Sequence, residues 1–423
     1  MQLSAAARRY TLGVLAVVYL FNFLDRQILA ILLPAIREEF QASDTVLGLL
    51  AGTAFALFYV TLGIPIARLS DHFNRRNMLA IALAVWSGMT VLCGMATNIV
   101  QLTMARVGVG IGEAGGSPPA HSMISDLYPP SQRATAMGVY TMGISAGIML
   151  AYVAGGWVVE NIGWREAFFI VGAPGLALAL LVRFTLTEPV RGASEARSDS
   201  GETLAFSSVL RFVLSSRSFL HMSFGAGLMS FVGYAVAVFF PSFMDRSFGM
   251  SMLEAGFWLG IILGLPGGAG YFAGGYLTDR VSSAGAQRGP MFIAAMILLS
   301  CVLFVGVFLA TSPFWCFILF VLPAFFSNMY LPPTLAQAQS VVALRMRAMA
   351  SALCLFIINI VGLALGPPLV GRLSDWLAAD FGDESLRYSL LACAVIIMPW
   401  AAVHFWLASR HVNADLARAN AAD

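Results

Sequence analysis

The sequence predicts an all-α integral membrane protein of twelve transmembrane helices, arranged as two pseudo-symmetric six-helix halves. Three observations predict it. Of 423 residues, 59% are hydrophobic and 11% charged, with a mean hydropathy of +0.81. That balance leaves too few charges to cover a soluble protein of this length. Apolar stretches long enough to cross a bilayer, about 20 residues each, tile the chain almost end to end. One extended polar stretch, residues 187–217, divides them six and six.

The expected spans are residues 11–33, 46–69, 78–97, 100–122, 134–157 and 164–186, then 218–243, 252–276, 290–311, 314–339, 348–371 and 386–408. The first follows Arg8 and Arg9 but is too long for the apolar core of a signal peptide, and no cleavage pattern follows it. It is expected to be retained. The chain has no lysine, so all 24 basic residues are arginines. With the N-terminus in the cytoplasm, 17 of them fall in or beside cytoplasmic segments, five lie outside, and Arg26 and Arg106 are intramembrane. This positive-inside bias predicts a multi-pass protein of the inner (plasma) membrane with both termini cytoplasmic. No basic cluster suggests nucleic acid as a partner. The five cysteines all fall in spans and none forms a CxxC, so no metal, cofactor or disulfide framework is expected.

The domain organisation follows: an N-terminal six-helix half (1–186), a cytoplasmic linker (187–217) and a C-terminal six-helix half (218–423). The halves echo each other. Span two ends Ala67-Arg-Leu-Ser-Asp71-His and span eight ends Gly275-Tyr-Leu-Thr-Asp279-Arg, 208 residues on; Gln132-Arg133-Ala134 enters span five and Met346-Arg347-Ala348 enters span eleven, 214 on. Repeated matches at nearly one offset point to parallel six-helix repeats. Glycine is dense in spans four, five and eight, where small residues let membrane helices approach closely. Pro118, Pro119, Pro266, Pro332, Pro367 and Pro368 are expected to kink or end helices.

Asp25, Arg26, Arg106 and Glu113 stand inside apolar spans. Each ionised group near a helix centre costs about 2.5–3.5 kcal/mol on insertion scales, so charges retained there pair together or face a water-filled path. Arg106 and Glu113 are seven apart and share a helix face. Two acids and two arginines cancel if all ionise; protonating one acid releases an arginine for a phosphate or carboxylate. Asp25 is expected to pair with Arg106 or Arg26, and Glu113 to carry the proton. The alternative is a permanently paired quartet that locks the first span to the fourth.

Two motifs mislead. Gly110-Ile-Gly112-Glu-Ala-Gly115 matches a dinucleotide fingerprint letter for letter, but that motif needs a preceding strand. Gly143-Ile-Ser145-Ala-Gly147 matches a nucleophile elbow, yet lies mid-helix, and its candidate partners His121 and His404 are expected near the membrane edges. Without lysine there is no P-loop, so an enzyme or an ATP-driven pump of that type is not expected.

The loop Asp71-His-Phe-Asn74-Arg75-Arg76 and the run Arg106-Val-Gly-Val-Gly110-Ile-Gly112-Glu113 resemble the major facilitator superfamily, over nearly the whole chain. Asn74 and Ala67 stand where the family pattern usually has glycine. Asn22-Phe-Leu-Asp25-Arg26, Gly110-Ile-Gly112-Glu113-Ala114 and Gly366-Pro-Pro-Leu-Val-Gly371-Arg-Leu-Ser-Asp375 are similar to the spinster-like lipid transporters within it. The resemblance implies proton-coupled alternating access by a monomer, with an amphiphilic anion such as a lysolipid or sphingoid phosphate as substrate. It implies the quartet as the coupling and headgroup site, and Asp71 as a conformational latch on the start of helix eleven. Asp71, Arg75, Arg76, Arg133, Asp279 and Arg347 form the expected gate. Organic-anion symporters and drug exporters share the charge motifs and remain the alternative.

The second half has no Asp, Glu or Arg in the interior of its spans, only neutral polar groups such as Asn328, Tyr330 and Asn359, with Phe224, Phe231, Phe239, Phe240, Phe325 and Phe326 near them in sequence. Charges on one side and aromatic surface on the other would suit an amphiphile; the alternative, for each ring taken singly the commoner one, is that it faces lipid or a helix contact. Asn22, Tyr330 and Asn359 are the expected neutral contacts beside Arg26 and Arg106.

Overall fold

The computed structural model describes residues 4–128, 130–190, 206–343 and 346–422; the side chains of Asp71, Arg133 and Arg347, three expected gate residues, lie outside the described residues. Every regular element among the described residues is a helix. Before the polar stretch come α1 (Ala5–Phe40), α2 (Asp44–Gly48), α3 (Ala54–His72), α4 (Arg75–Gly94), α5 (Ile99–Glu113), α6 (Ser117–Leu127), α7 (Pro130–Asn161) and α8 (Trp164–Thr185). After it come α9 (Phe206–Ser215), α10 (Arg217–Phe248), α11 (Met252–Ser282), α12 (Arg288–Leu309), α13 (Pro313–Ser327), α14 (Leu331–Ser340), α15 (Arg347–Asn359), α16 (Gly366–Phe381) and α17 (Ser385–Ala422).

Among the described residues ten segments are long and apolar enough to cross a membrane, and the last, Met349–Ala421, holds both spans eleven and twelve. Span four is the remaining one. It is broken into α5 and α6 by a tight turn in which Gly115 and Gly116 N–H bond the carbonyls of Gly112 and Glu113, and Pro118 and Pro119 then start α6. Spans two and eleven each contain a π-helical turn, Leu49–Thr53 and Ile360–Ala364, and such turns concentrate at functional sites. Side-chain caps start three of the long helices: Ser4 for α1, Asn98 for α5, and Asn74 for α4, where Asn74 Oδ1 accepts the Asn77 N–H at 2.9 Å. Asn74 therefore does a job that the glycine of the family pattern cannot.

The chain divides into two compact units. The first comprises Met1–Ala42, Thr53–Gly201 and Ser251–Gly260. Within it α7 lies tight on α1: a Cβ added to Gly147 would meet the Leu20 carbonyl oxygen at 2.5 Å. This is where the nucleophile-elbow pattern sits, and its glycines serve backbone approach. Gly147→Val is expected to lower thermal stability by about 1–3 kcal/mol, read as an earlier unfolding transition in detergent.

The second unit comprises Ser43–Gly52, Glu202–Met250 and Ile261–Asp423. Asp375 of α16 accepts the backbone N–H groups of Asp44 and Thr45, each at 2.8 Å, and caps the short α2. Asp44 in turn binds both terminal nitrogens of Arg246 and the Ser374 hydroxyl at 2.7 Å. Asp415 of α17 accepts from the Ser218 N–H and from the hydroxyls of Ser216 and Ser218, so it caps α10 from a distance.

The phenylalanines of this unit divide between buried and accessible positions. Phe231, Phe239 and Phe240 are buried, and Phe240 stacks on Phe320 at 4.7 Å beside Phe243 and Phe317. Phe240 thus belongs to a packed aromatic cluster, the helix-contact alternative for these rings, rather than to a surface for a lipid tail. Phe224 is exposed and Phe325 and Phe326 are half-buried.

Candidate functional site

Four intramembrane charges meet inside the first unit. Helix α1 carries Asp25 and Arg26 on adjacent positions, hence on different sides of the helix. The α5 helix presents Arg106 and Glu113 two turns apart, and a Cβ on Gly110 between them would collide with the Phe55 carbonyl of α3. Glycine there lets α5 pack directly on the α3 backbone, which sets Phe55 beside both arginines of the quartet.

The quartet resolves into two pairs. Arg26 Nη2 and Nε donate to Glu113 Oε2 at 2.7 and 3.3 Å. Arg106 Nη1 lies 3.5 Å from Asp25 Oδ1, while Asp25 Oδ2 takes a short hydrogen bond from the Thr90 hydroxyl of α4. Glu113 is thus not left without an arginine. It has the closer one, and Asp25 has the more distant one supplemented by Thr90.

The pairs differ in access and in completeness. Arg106 and Glu113 side chains are 0% exposed and Arg26 retains 8%. Arg26 also lies over the rings of Tyr59, Phe55 and Phe23, its Cζ 4.7, 4.8 and 5.0 Å from their centroids. Such faces stabilise a desolvated guanidinium without neutralising it. Four buried polar atoms make no hydrogen bond: Glu113 Oε1, Asp25 Oδ1, and Arg106 Nε and Nη2. An unsatisfied buried polar atom costs about 1–3 kcal/mol, and in a native protein such atoms mark a functional group or a strain reservoir. Asn22, one turn before Arg26, is buried and its Oδ1 accepts weakly from Arg26 Nη2 at 3.4 Å.

The expected gate residues that the structure describes take other partners within the first unit. Arg75 is buried and binds Glu188 Oε1 at 2.7 Å, Ser122 Oγ at 2.8 Å, the Pro189 carbonyl at 2.7 Å, and Asp126. The Arg76 N–H donates to Glu188 Oε2 at 2.8 Å and its guanidinium to the Leu186 carbonyl at 3.2 Å. Together they clasp the loop after α3 to the ends of α6 and α8. Arg75→Ala strands two carboxylates, and a stability loss of about 3 kcal/mol is expected, measured by thermal unfolding in detergent. Asp279 is exposed at the end of α11.

In the second unit Tyr330 is buried at the break between α13 and α14. Asn359 donates to the Leu355 carbonyl of its own helix at 2.8 Å. Sequence reasoning missed Thr90, Asp126 and Glu188. Thr90 is one hydroxyl in an apolar span, and only its meeting with Asp25 gives it meaning. Glu188 closes Thr-Glu-Pro at the end of span six, a carboxylate before a proline, which could have been weighed against the neighbouring arginines.

The sequence model of the Major Facilitator Superfamily matches residues 15–353 and 222–421. An MFS-type efflux pump of Mycolicibacterium smegmatis is 33% identical over 96% of this chain and 93% of its own. Protein spinster homolog 3 of Danio rerio is 27% identical over 95% of this chain and 85% of its own. A bacterial homologue of the human lysosomal transporter spinster, solved in an inward-facing and unoccupied conformation, has a TM-score of 0.88 at 32% identity, covering 97% of this chain and 99% of that one. With a buried charge quartet inside a helical membrane fold, the chain belongs to the Major Facilitator Superfamily of transporters and is spinster-like within it.

Proposed function

We propose that this transporter couples movement of an amphiphilic anion to protons by alternating access, and that the anion and Glu113 compete for Arg26. The observation that carries the reading is the Arg26–Glu113 pair: a buried carboxylate held by the one arginine of the quartet that keeps access to solvent. An arriving phosphate or carboxylate takes the guanidinium, and Glu113, left in low dielectric, takes up a proton. Charge is conserved, because one anion and one proton enter together.

Asp25 and Arg106 supply the second, deeper pair, and protonation of Asp25 releases the buried donors of Arg106 as the cycle proceeds. Asn22, Tyr330 and Asn359 complete the polar contacts. The six-helix halves 1–186 and 218–423, joined by the linker 187–217, rock around this site with both termini cytoplasmic. Asp71, Arg133, Asp279 and Arg347 act with Arg75 and Arg76 at the cytoplasmic gate.

The substrate is a lysolipid-like or sphingoid-phosphate-like amphiphile, supported by the likeness to spinster proteins and by the exposed Phe224. A small organic anion, or a drug leaving the cell, is the second reading, favoured by the likeness to an efflux pump. Competition separates them. A long-chain phosphoamphiphile is expected to displace a labelled analogue at least tenfold better than its short-chain counterpart, since each buried CH₂ contributes about 0.8 kcal/mol. Equal competition would favour the small anion.

A further inference from the structure

The two arginines of the quartet share an aromatic neighbour that no charge motif announces. Arg26 Cζ lies 4.8 Å and Arg106 Cζ 5.4 Å from the centroid of the Phe55 ring. Both are within the range, about 6 Å, at which the face of a ring attracts a cation. Phe55 is the second residue of α3 and fully buried. Its place is fixed from two sides. Its backbone packs on α5 where Gly110 has no side chain, so that an added Cβ would stand 3.2 Å from Phe55 Cα and collide with its carbonyl oxygen. Its ring stacks on Tyr59, one turn further along α3, with centroids 5.4 Å apart and planes 18° from parallel.

The arginines depend on that ring to different degrees. Arg26 holds Glu113 at 2.7 Å and lies over Phe23 and Tyr59 as well. Arg106 is 0% exposed, reaches the Asp25 carboxylate and carbonyl only at 3.5 Å, and leaves Nε and Nη2 without a hydrogen bond. A guanidinium stays charged even when buried, so it cannot relieve this by losing a proton. The electron-rich face of a ring attracts it without neutralising it. The attraction counts most when the guanidinium has no carboxylate. In an ion pair the same ring face repels the carboxylate, and part of the gain is lost. Such a ring therefore stabilises an arginine between partners more than it stabilises either pair.

We propose that Phe55 is a positioning residue that carries whichever arginine of the quartet is between partners: Arg26 as it passes from Glu113 to an arriving anion, and Arg106 as Asp25 is neutralised. The proposal rests on the exchange at Arg26 argued above. Phe55 suits the role because it lies beside both guanidinium groups and is held by the backbone of α5 rather than by either arginine. An interaction stronger in passage than in the states on either side lowers the barrier without tightening the complex. Weakening the ring's face should therefore slow the exchange while leaving the affinity nearly as it was.

The test uses full-length protein in detergent in which Phe55 is replaced by mono-, di- and trifluorophenylalanine. Fluorines keep the shape of the ring and withdraw charge from its face step by step. Each protein is mixed rapidly with a lysophosphatidate while a pH indicator reports proton uptake, and the equilibrium Kd is measured separately by calorimetry. The uptake rate is expected to fall with each added fluorine, by about tenfold at the third, with Kd held within about threefold. Phe55→Leu, which fills the site without a ring, should be at least as slow. A trifluorinated protein as fast as wild type overturns the role, because packing alone is then enough. So does a Kd that weakens by the same factor as the rate, since the ring would then hold the complex and not the passage. Anion binding without proton uptake in wild type overturns the exchange at Arg26 and this role with it. With uptake present in wild type, a flat fluorine series is a failure of Phe55 alone.

Discussion

Glu113→Gln is expected to reduce anion-driven proton flux by two orders of magnitude or more while the protein still folds and binds anion. Glutamine matches glutamate in shape and offers Arg26 a carbonyl oxygen in place of Oε2, but it carries no exchangeable charge. Arg26 is then permanently released toward an incoming anion, so binding is retained or tightened. What disappears is the exchange of one negative charge for another that pulls a proton into the site. General acid–base groups contribute about 10²–10⁴ to the rate of the step they serve, and coupling without a proton carrier has no other route in this quartet unless Asp25 substitutes. The variant is therefore read in proteoliposomes for proton movement and in detergent for anion binding. Persistent coupled flux would remove Glu113 from the mechanism.

Arg26→Leu is expected to abolish anion binding, with an effect of about 2–4 kcal/mol, or thirty- to a thousandfold in Kd. Arg26 is the quartet's accessible cation, and its guanidinium is already desolvated among Phe23, Phe55 and Tyr59. The same change leaves Glu113 buried without its 2.7 Å partner, so the carboxyl takes a proton rather than stay charged. Arg26→Lys should not restore binding. An ammonium has neither the two-nitrogen grip now made on Glu113 Oε2 nor the flat face that stacks on three rings. Titration calorimetry of both variants against a phosphoamphiphile checks this. Wild-type affinity in Arg26→Leu would place the anion elsewhere.

Much of this was legible in the chain. Charges in apolar spans are expensive, so their presence announced a site, and the seven-residue spacing of Arg106 and Glu113 put both on one face. The partner choice was not legible, because it depends on which side of α1 faces α5. Helical periodicity places residues on a helix; it does not rotate the helix. Nor did the sequence show that Phe239 and Phe240 are core, since an apolar span looks the same whether a ring meets protein or lipid. The break between Glu113 and Ser117 was foreshadowed by two glycines and two prolines. Arg75 and Arg76 were legible as charges at a helix end, but not as the clasp on Glu188.

The measurement that tests the central claim most directly is proton uptake on anion binding. Weakly buffered protein in detergent is mixed with a long-chain phosphoamphiphile while a pH indicator is followed. Exchange at Arg26 predicts uptake of about one proton per anion bound in wild type, and none in Glu113→Gln although anion still binds. Binding without uptake in wild type, or equal uptake in the variant, would contradict it.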